Sequence, residues 1–330
     1  METSKNMAHK EERNYSTLAI EKKESFRWIS TVQSSKQVLE DAKHKIVITD
    51  REGDIYPLYT RLNDANTDII VRSGQNRRLV GEKTIKEYLQ KAIVKMQFNL
   101  NVKANKKETR SRHTAIMEMK FGEIELIRPK RASSKETDKS FKMFIVQVKE
   151  SKRSVKKGET PIEWTLLTTI PIKNNKDGQQ IINYYSKRWM VEEFFAILKT
   201  RGLNLENSQL TNGEALMKLC IVAMDVAIKI LQLTKGRENE ELSAELVFSK
   251  EEIKILDSII SHYEGSTHNQ KNLFKKKSLA WAAWVIGRMG GWTGYKADSP
   301  PGNKTMKRGL DKFNIMFSYH SIMKKDVCRD

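Results

Sequence analysis

The chain has 330 residues, 38% of them hydrophobic, enough for two domains with packed cores and too apolar for a disordered chain. Sixty Lys and Arg against 41 Asp and Glu leave a formal charge of +19, which favours a polyanionic partner because neutralised phosphates release condensed counterions. Two cysteines and six unclustered histidines exclude a disulfide framework and a structural zinc site.

Residues 1–20 are polar and carry no apolar signal-peptide core, so a cytoplasmic protein is expected. Residues 21–43 read as a helix, with Phe26, Ile29, Val32, Val38 and Leu39 recurring near helical spacing. Ile46, Val47 and Ile48 form a β-branched run that fits a strand buried on both faces and ending in a carboxylate, Asp50. A helical segment, Ile55 to Leu62, leads to a second run, Ile69 to Val71, closed by Arg72, Ser73 and Gly74. Two short apolar strands joined by a helix predict a parallel βαβ unit, and 1–74 is taken as a first domain. Asp54 reads as a helix-start acid favoured by the macrodipole, although on a helix beginning at Asp50 it would share a face with that residue.

From 75 to 160 the pattern alternates. Ala115 to Phe121, Ile124 to Ile127 and Phe141 to Val148 are strand candidates, separated by Lys106, Lys107, Arg110, Arg112, Arg128, Lys130 and Arg131. This reads as a β-rich insertion with a cationic surface; the alternative is loops made basic for solubility alone. A third segment, 161–236, opens with a strand from Trp164 to Ile170 closed by Pro171. Helices at 178–186 and 188–201 follow, then a long one at 213–233 ending in the stop signal Lys235, Gly236, Arg237. The apolar stretch 215–233 is broken by Lys218, Asp225 and Lys229, so it reads as a buried helix and not a membrane span. The remainder, 237–330, is helical: Glu251 to His262, Leu279 to Met289, a Gly/Pro-rich connection, and a last helix from Met306. Trp281, Trp284, Val285 and Met289 share one helical face, which fits either a domain core or a dimer interface.

The stretch YYSKRWMVEEFFAILKT, residues 184–200, carries the most chemistry. With about 100° per residue and Arg188 as origin, Glu192 falls at about 40° and Lys199 at about 20° round the axis. Tyr185 joins this column at about 60° if the helix is unbroken, while Met190, Phe194, Ile197 and Leu198 face the other way. Glu193 points about 100° from Glu192 and is not in the column. Periodicity alone also allows a solvated face with Arg–Glu pairing.

Tyr185, Arg188, Glu192 and Lys199 satisfy Y-x-x-R-x-x-x-E-x-x-x-x-x-x-K in full. This resembles the signature of a large group of bacterial insertion-sequence transposases of cut-and-paste type with a DDE catalytic core. The resemblance extends to DREGDIYPLY upstream, to the strand of KGETPIEWTLLT, and to the closing SLAWAAWVIGRMGGWTGYK region, where such proteins dimerise. It implies an α/β fold with a ribonuclease-H-like catalytic core, a β-rich insertion and an α-helical C-terminal domain. It further implies Asp50 and Glu192 as catalytic, metal-holding carboxylates for Mg²⁺ or Mn²⁺. Tyr185, Arg188 and Lys199 would then grip a DNA phosphate, and Trp164 would stack on a base turned out of the duplex. Arg72 would contact DNA, while Trp189 is as readily a packing residue.

The family uses three acids. Before Asp50 this chain has a single Asp, Asp41, in a helical or loop context with no apolar strand ending in it. The resemblance therefore implies an N-terminally truncated relative whose core lacks its first strands and which is inactive alone. Its expected partners are double-stranded transposon-end DNA and a homodimer, or a heterodimer with a full-length transposase, in a nucleoid-associated location. The alternatives are a DNA-binding, dimerising inhibitor form and a decayed remnant.

Overall fold

A computed structural model describes residues 18–82, 84–105, 109–130, 138–201, 203–295 and 298–327; Lys106, Lys107, Arg131 and Cys328 lie outside them. The chain divides into two compact units, Met1–Arg188 and Trp189–Asp330. Among the described residues no helix is long and apolar enough to cross a membrane.

The first unit is built on a six-stranded sheet. Its strands are β1 (Lys45–Thr49), β2 (Thr67–Arg72), β3 (Met96–Val102), β4 (His113–Ile127), β5 (Ser140–Glu150) and β6 (Glu163–Thr168), in the order β1-β2-β6-β5-β4-β3. The expected βαβ unit is present: β1 and β2 run parallel, in register Thr49 with Val71, joined through helix α2 (Tyr56–Leu62). The strands of 75–160 join this same sheet, because β5 pairs antiparallel with β6, which pairs with β2. The two strands expected at 115–121 and 124–127 are one, β4. Gly122, which interrupts the apolar pattern, admits the Tyr88 hydroxyl where a Cβ would lie 2.0 Å from it.

Each sheet face carries a core. Against one, Ile69, Val71, Ile145 and Leu167 meet Ile29 of helix α1 (Phe26–Val38), Tyr59 of α2 and Leu89 of α3 (Ile85–Lys91). Against the other, Ile70, Val146 and Leu166 meet Ile181 and Tyr185 of α4 (Asn175–Ser186). Alternation along β2 explains this division, since successive side chains point to opposite faces. Two expectations are corrected. The run Ile46, Val47, Ile48 is only half-buried, because β1 is the edge strand; β2, one place inward, is the buried one. The first helix is shorter than 21–43, and Val38 and Leu39 are 83% and 52% exposed, outside the core face.

An ion pair closes one end of β4 and β5. His113 Nε2 donates to Glu150 at 2.9 Å and its Nδ1 donates to the Ser111 carbonyl at 3.0 Å. With an acceptor facing each ring nitrogen, the geometry favours the imidazolium. The Ser111 carbonyl, then Glu150, raise the His113 pKa above its ordinary 6.5, against the opposing effect of burial. Burial pushes the Glu150 carboxyl up, but His113, the Ile162 N–H and Ser154 hold it below its ordinary value. A group whose folded pKa is raised stabilises the fold fully below its unfolded pKa, and that stabilisation is lost as pH rises through the folded value. The melting temperature is therefore expected to fall as pH is raised from 6 through that value, and this fall to vanish in His113→Gln. Equal slopes for both proteins would refute the assignment.

The second unit is helical: α5 (Trp189–Ala196), a π turn (Ile197–Arg201), α6 (Gly213–Gly236), α7 (Lys250–Tyr263), α8 (Leu279–Met289) and α9 (Asn303–Val327). Ser249 closes a capping box with Glu252 at the start of α7, and Ser278 caps α8 through the Trp281 N–H. Trp281, Trp284, Val285 and Met289 are at most 5% exposed and lie in the core, which decides between the two readings of that face. A helix apolar all round is central, and α8 packs against α6, α7 and α9. By contrast, the 215–233 stretch is not buried along its length. Ala223, Ala227, Ile230 and Leu233 enter the core, whereas Met217, Ile221 and Val222 are exposed.

Candidate active site

In the first unit, β1 ends at Thr49 and Asp50 caps a 3₁₀ turn, Arg51–Gly53, its Oδ1 accepting from the Glu52 N–H at 2.9 Å. Short polar side chains favour this position because they satisfy an otherwise orphaned N–H. Gly53 lets the turn close on the strand: a Cβ there would lie 2.3 Å from Thr49 Oγ1. Asp50 stays partly exposed, at the carboxyl ends of two parallel strands, where open α/β sheets place their ligands. Glu52 turns away to an exposed ion pair with Arg27 at 2.7 Å.

Asp54 is not a helix-start acid; Ile55 caps α2. Its carboxylate is fully buried and accepts four hydrogen bonds: Tyr59 Oη at 2.6 Å, the Gly74 N–H at 2.7 Å, the Gln75 N–H at 3.1 Å and Arg77 Nε at 2.7 Å. Arg77 also donates to the Asp54 carbonyl and lies over the Tyr59 ring. Burial, then the neighbouring Asp54, push the Tyr59 hydroxyl well above its ordinary pKa, so it remains a donor. Asp54 thus ties the loop after β2 to the turn after β1. Sequence reasoning missed it because its donors come from residues 59–77, and only the fold brings them round one carboxylate.

Arg72 is half-buried at the end of β2 and donates to the Glu163 carbonyl at 3.2 Å. Trp164 packs edge-on to Tyr185, ring centroids 5.3 Å apart. Tyr185 is 4% exposed, and its hydroxyl has no partner among the described residues. In this arrangement the Tyr185 ring belongs to the core, not to a surface column. An unpaired buried hydroxyl costs about 1–3 kcal/mol of desolvation. Tyr185→Phe is therefore expected to leave the melting temperature unchanged or raise it. A fall of several degrees would refute the packing described.

The column of four residues does not stand on one helix. α4 ends at Ser186, Lys187 and Arg188 form a turn, and the boundary between units follows Arg188. In the second unit, Glu192 is exposed in the first turn of α5, and Lys199 lies in the π turn, paired with Glu206 at 3.0 Å. Glu193 is half-buried and bound to Lys235 at 2.7 Å, a structural role. Of the residues facing away from the column, Met190 is 40% exposed while Ile197 and Leu198 are buried, and Trp189 is 58% exposed. Among the described residues no three His, Cys, Asp or Glu side chains gather as a preformed metal cluster.

A family model described as Transposase DDE domain matches residues 29–224, more than half of the chain. The match takes in β1 to β6, the turn at Asp50 and the helix bearing Glu192. Proteins of this kind act in transposition, on DNA and in general with divalent metal ions. The chain therefore belongs to the transposase DDE domain family.

Proposed function

We propose that the chain serves DNA transposition as a DDE transposase subunit of the Tyr-Arg-Glu-Lys group, with Asp50 and Glu192 as its metal-holding carboxylates. The observation that carries this reading is the family match across both residues, with Asp50 presented by a capped turn at the carboxyl ends of two parallel strands. Carboxylate oxygens suit the hard ions Mg²⁺ and Mn²⁺, and a bound pair would supply charge stabilisation at the attacking and leaving oxygens of a phosphodiester. Asp50 offers a partly exposed oxygen donor held in place by its own cap; Glu192 offers one on a helical face. Arg188, Lys199 and Arg72 would bind DNA phosphates, the arginines in bidentate fashion. Trp164 would receive a base on its indole, and the Tyr185 hydroxyl would reach a phosphate only after leaving its present packing.

A ribonuclease-H-like core, a C-terminal dimer and a bacterial origin belong to this same reading. The family's reaction uses three acids and two are legible here, so cutting by the chain alone is expected to be negligible. The test is DNA flanking its own gene, incubated with the protein and Mg²⁺ or Mn²⁺. Expected are salt-dependent binding and only trace nicking. Metal-dependent nicking lost in Asp50→Ala would overturn the inactivity but keep the site; failure to bind DNA would overturn the function.

A second reading is favoured by the outer edge of β1, where half-exposed Ile46, Val47 and Ile48 stand at the end of the sheet. Such an edge is a template for another chain, which fits a regulatory subunit pairing with an active transposase. Size-exclusion chromatography with a full-length relative tests it; separate elution at all ratios would sink it.

A further inference from the structure

The first unit carries a cationic cleft beside the Asp50 turn, a cavity of about 610 Å³. Arg51, Arg72, Lys86, Lys120 and Lys149 line it, against one carboxylate, Glu163. Three strands build its floor. Lys120 of β4 pairs with Gln147 of β5, and Gln147 with Thr165 of β6, so the three side chains form a row on one face. Two residues further along, on the same face, Lys149 pairs with Glu163 at 2.8 Å, and Gln147 donates to the same carboxylate at 2.9 Å. The wall is α3, with Lys86 and Gln90 exposed toward solvent; Lys120 Nζ is fixed on the Leu89 carbonyl at 2.9 Å. The rim is the loop Ser73–Asn76, held by Asp54. The floor row lies on the face opposite Trp164, since Glu163 and Thr165 alternate with it along β6.

Glu163 is satisfied by Lys149 and Gln147, so the described lining residues keep a surplus of positive charge. A surplus at a concave site focuses potential and concentrates anions. The volume lies in the range that seats a nucleotide-sized ligand. Gln90, Gln147, Asn76 and Thr165 add uncharged donors and acceptors suited to sugars and base edges.

We propose that this cleft binds a single strand of DNA, with Arg72, Lys86 and Lys120 on its phosphates, and leads it past Asp50 on the face away from Trp164. The inference rests on the transposase reading above and assigns a strand path to it. A single strand fits because unpaired bases expose their edges and the cations track one backbone.

The test is fluorescence anisotropy of the full chain with a labelled single-stranded oligonucleotide and a duplex of equal length, across a salt series. Lys86→Ala/Lys120→Ala is expected to weaken single-strand binding about tenfold and to flatten the slope of log K against log salt by about 1.4, two phosphate contacts' worth. Duplex binding should change by less than about twofold. Lys86→Arg/Lys120→Arg should retain binding. Because Lys120 also braces α3, Lys86→Ala alone, at an exposed position, must give half the slope change with an unaltered melt. Unchanged single-strand affinity in both Ala variants, or equal losses for duplex and single strand, would overturn the cleft assignment while leaving the transposase reading in place. If the wild-type chain binds neither DNA, both fall.

Discussion

Replacing Asp54 with Ala should destabilise the first unit by roughly 3–5 kcal/mol, because it strands a buried guanidinium that this carboxylate neutralises. The side chains of Asp54 and Arg77 are 0% and 5% exposed, so water does not take over the lost contacts. At about 2–4 °C per kcal/mol for a unit of this size, the melting temperature should drop by roughly 6–20 °C. Arg77→Met should cost markedly less, since Asp54 would keep Tyr59 and the Gly74 and Gln75 N–H groups as donors. Thermal unfolding followed by circular dichroism reads both. A loss below about 1 kcal/mol for Asp54→Ala, or a larger loss for Arg77→Met, would show that the network is not the lock described. The effect should reach the site: the loop freed by the substitution carries Gly74 and Gln75, next to Arg72 and the turn of Asp50.

Asp50→Asn should remove most Mn²⁺ binding, by at least about 10–100-fold, while leaving the fold intact. The amide retains an oxygen for the Glu52 N–H, so the cap survives, whereas its neutral oxygen is a poor ligand for a hard cation. Asp50→Ala should lose the ion equally and about 1 kcal/mol of stability as well, the worth of the cap. Glu192→Gln should also weaken Mn²⁺ binding, and Glu193→Gln should not, because Glu193 is engaged with Lys235. Free Mn²⁺ measured by electron paramagnetic resonance gives the readout without any need for cleavage. An Asp50→Asn protein that binds Mn²⁺ as the parent does would remove Asp50 from the metal site. Equal effects of the two neighbouring glutamates would remove Glu192.

What could be read from the residues alone was what is encoded locally. Alternation and β-branching marked β1, β2 and the strands of 115–148, and helical spacing along an apolar run placed Leu279–Met289. The transposase family was legible because Tyr185, Arg188, Glu192 and Lys199 stand at fixed spacing; Asp50 was singled out because it follows a short apolar run. Spacing assumes an unbroken helix, however, and the turn at Lys187–Arg188 and the π turn at Lys199 break it.

Tertiary structure alone decided what depends on neighbours distant in the chain. Whether Ile46–Ile48 is central or an edge follows from sheet order, which no five-residue run contains. Tyr185 turns inward because Trp164, on another element, offers it a ring, and Asp54 is buried because the β2 loop folds back over it. The cleft exists because register sets Lys120, Gln147 and Thr165 side by side across three strands. Composition dictated a strongly basic chain; pairing between remote segments determined where that charge gathers, since burial and electrostatics depend on distance in space, not along the sequence.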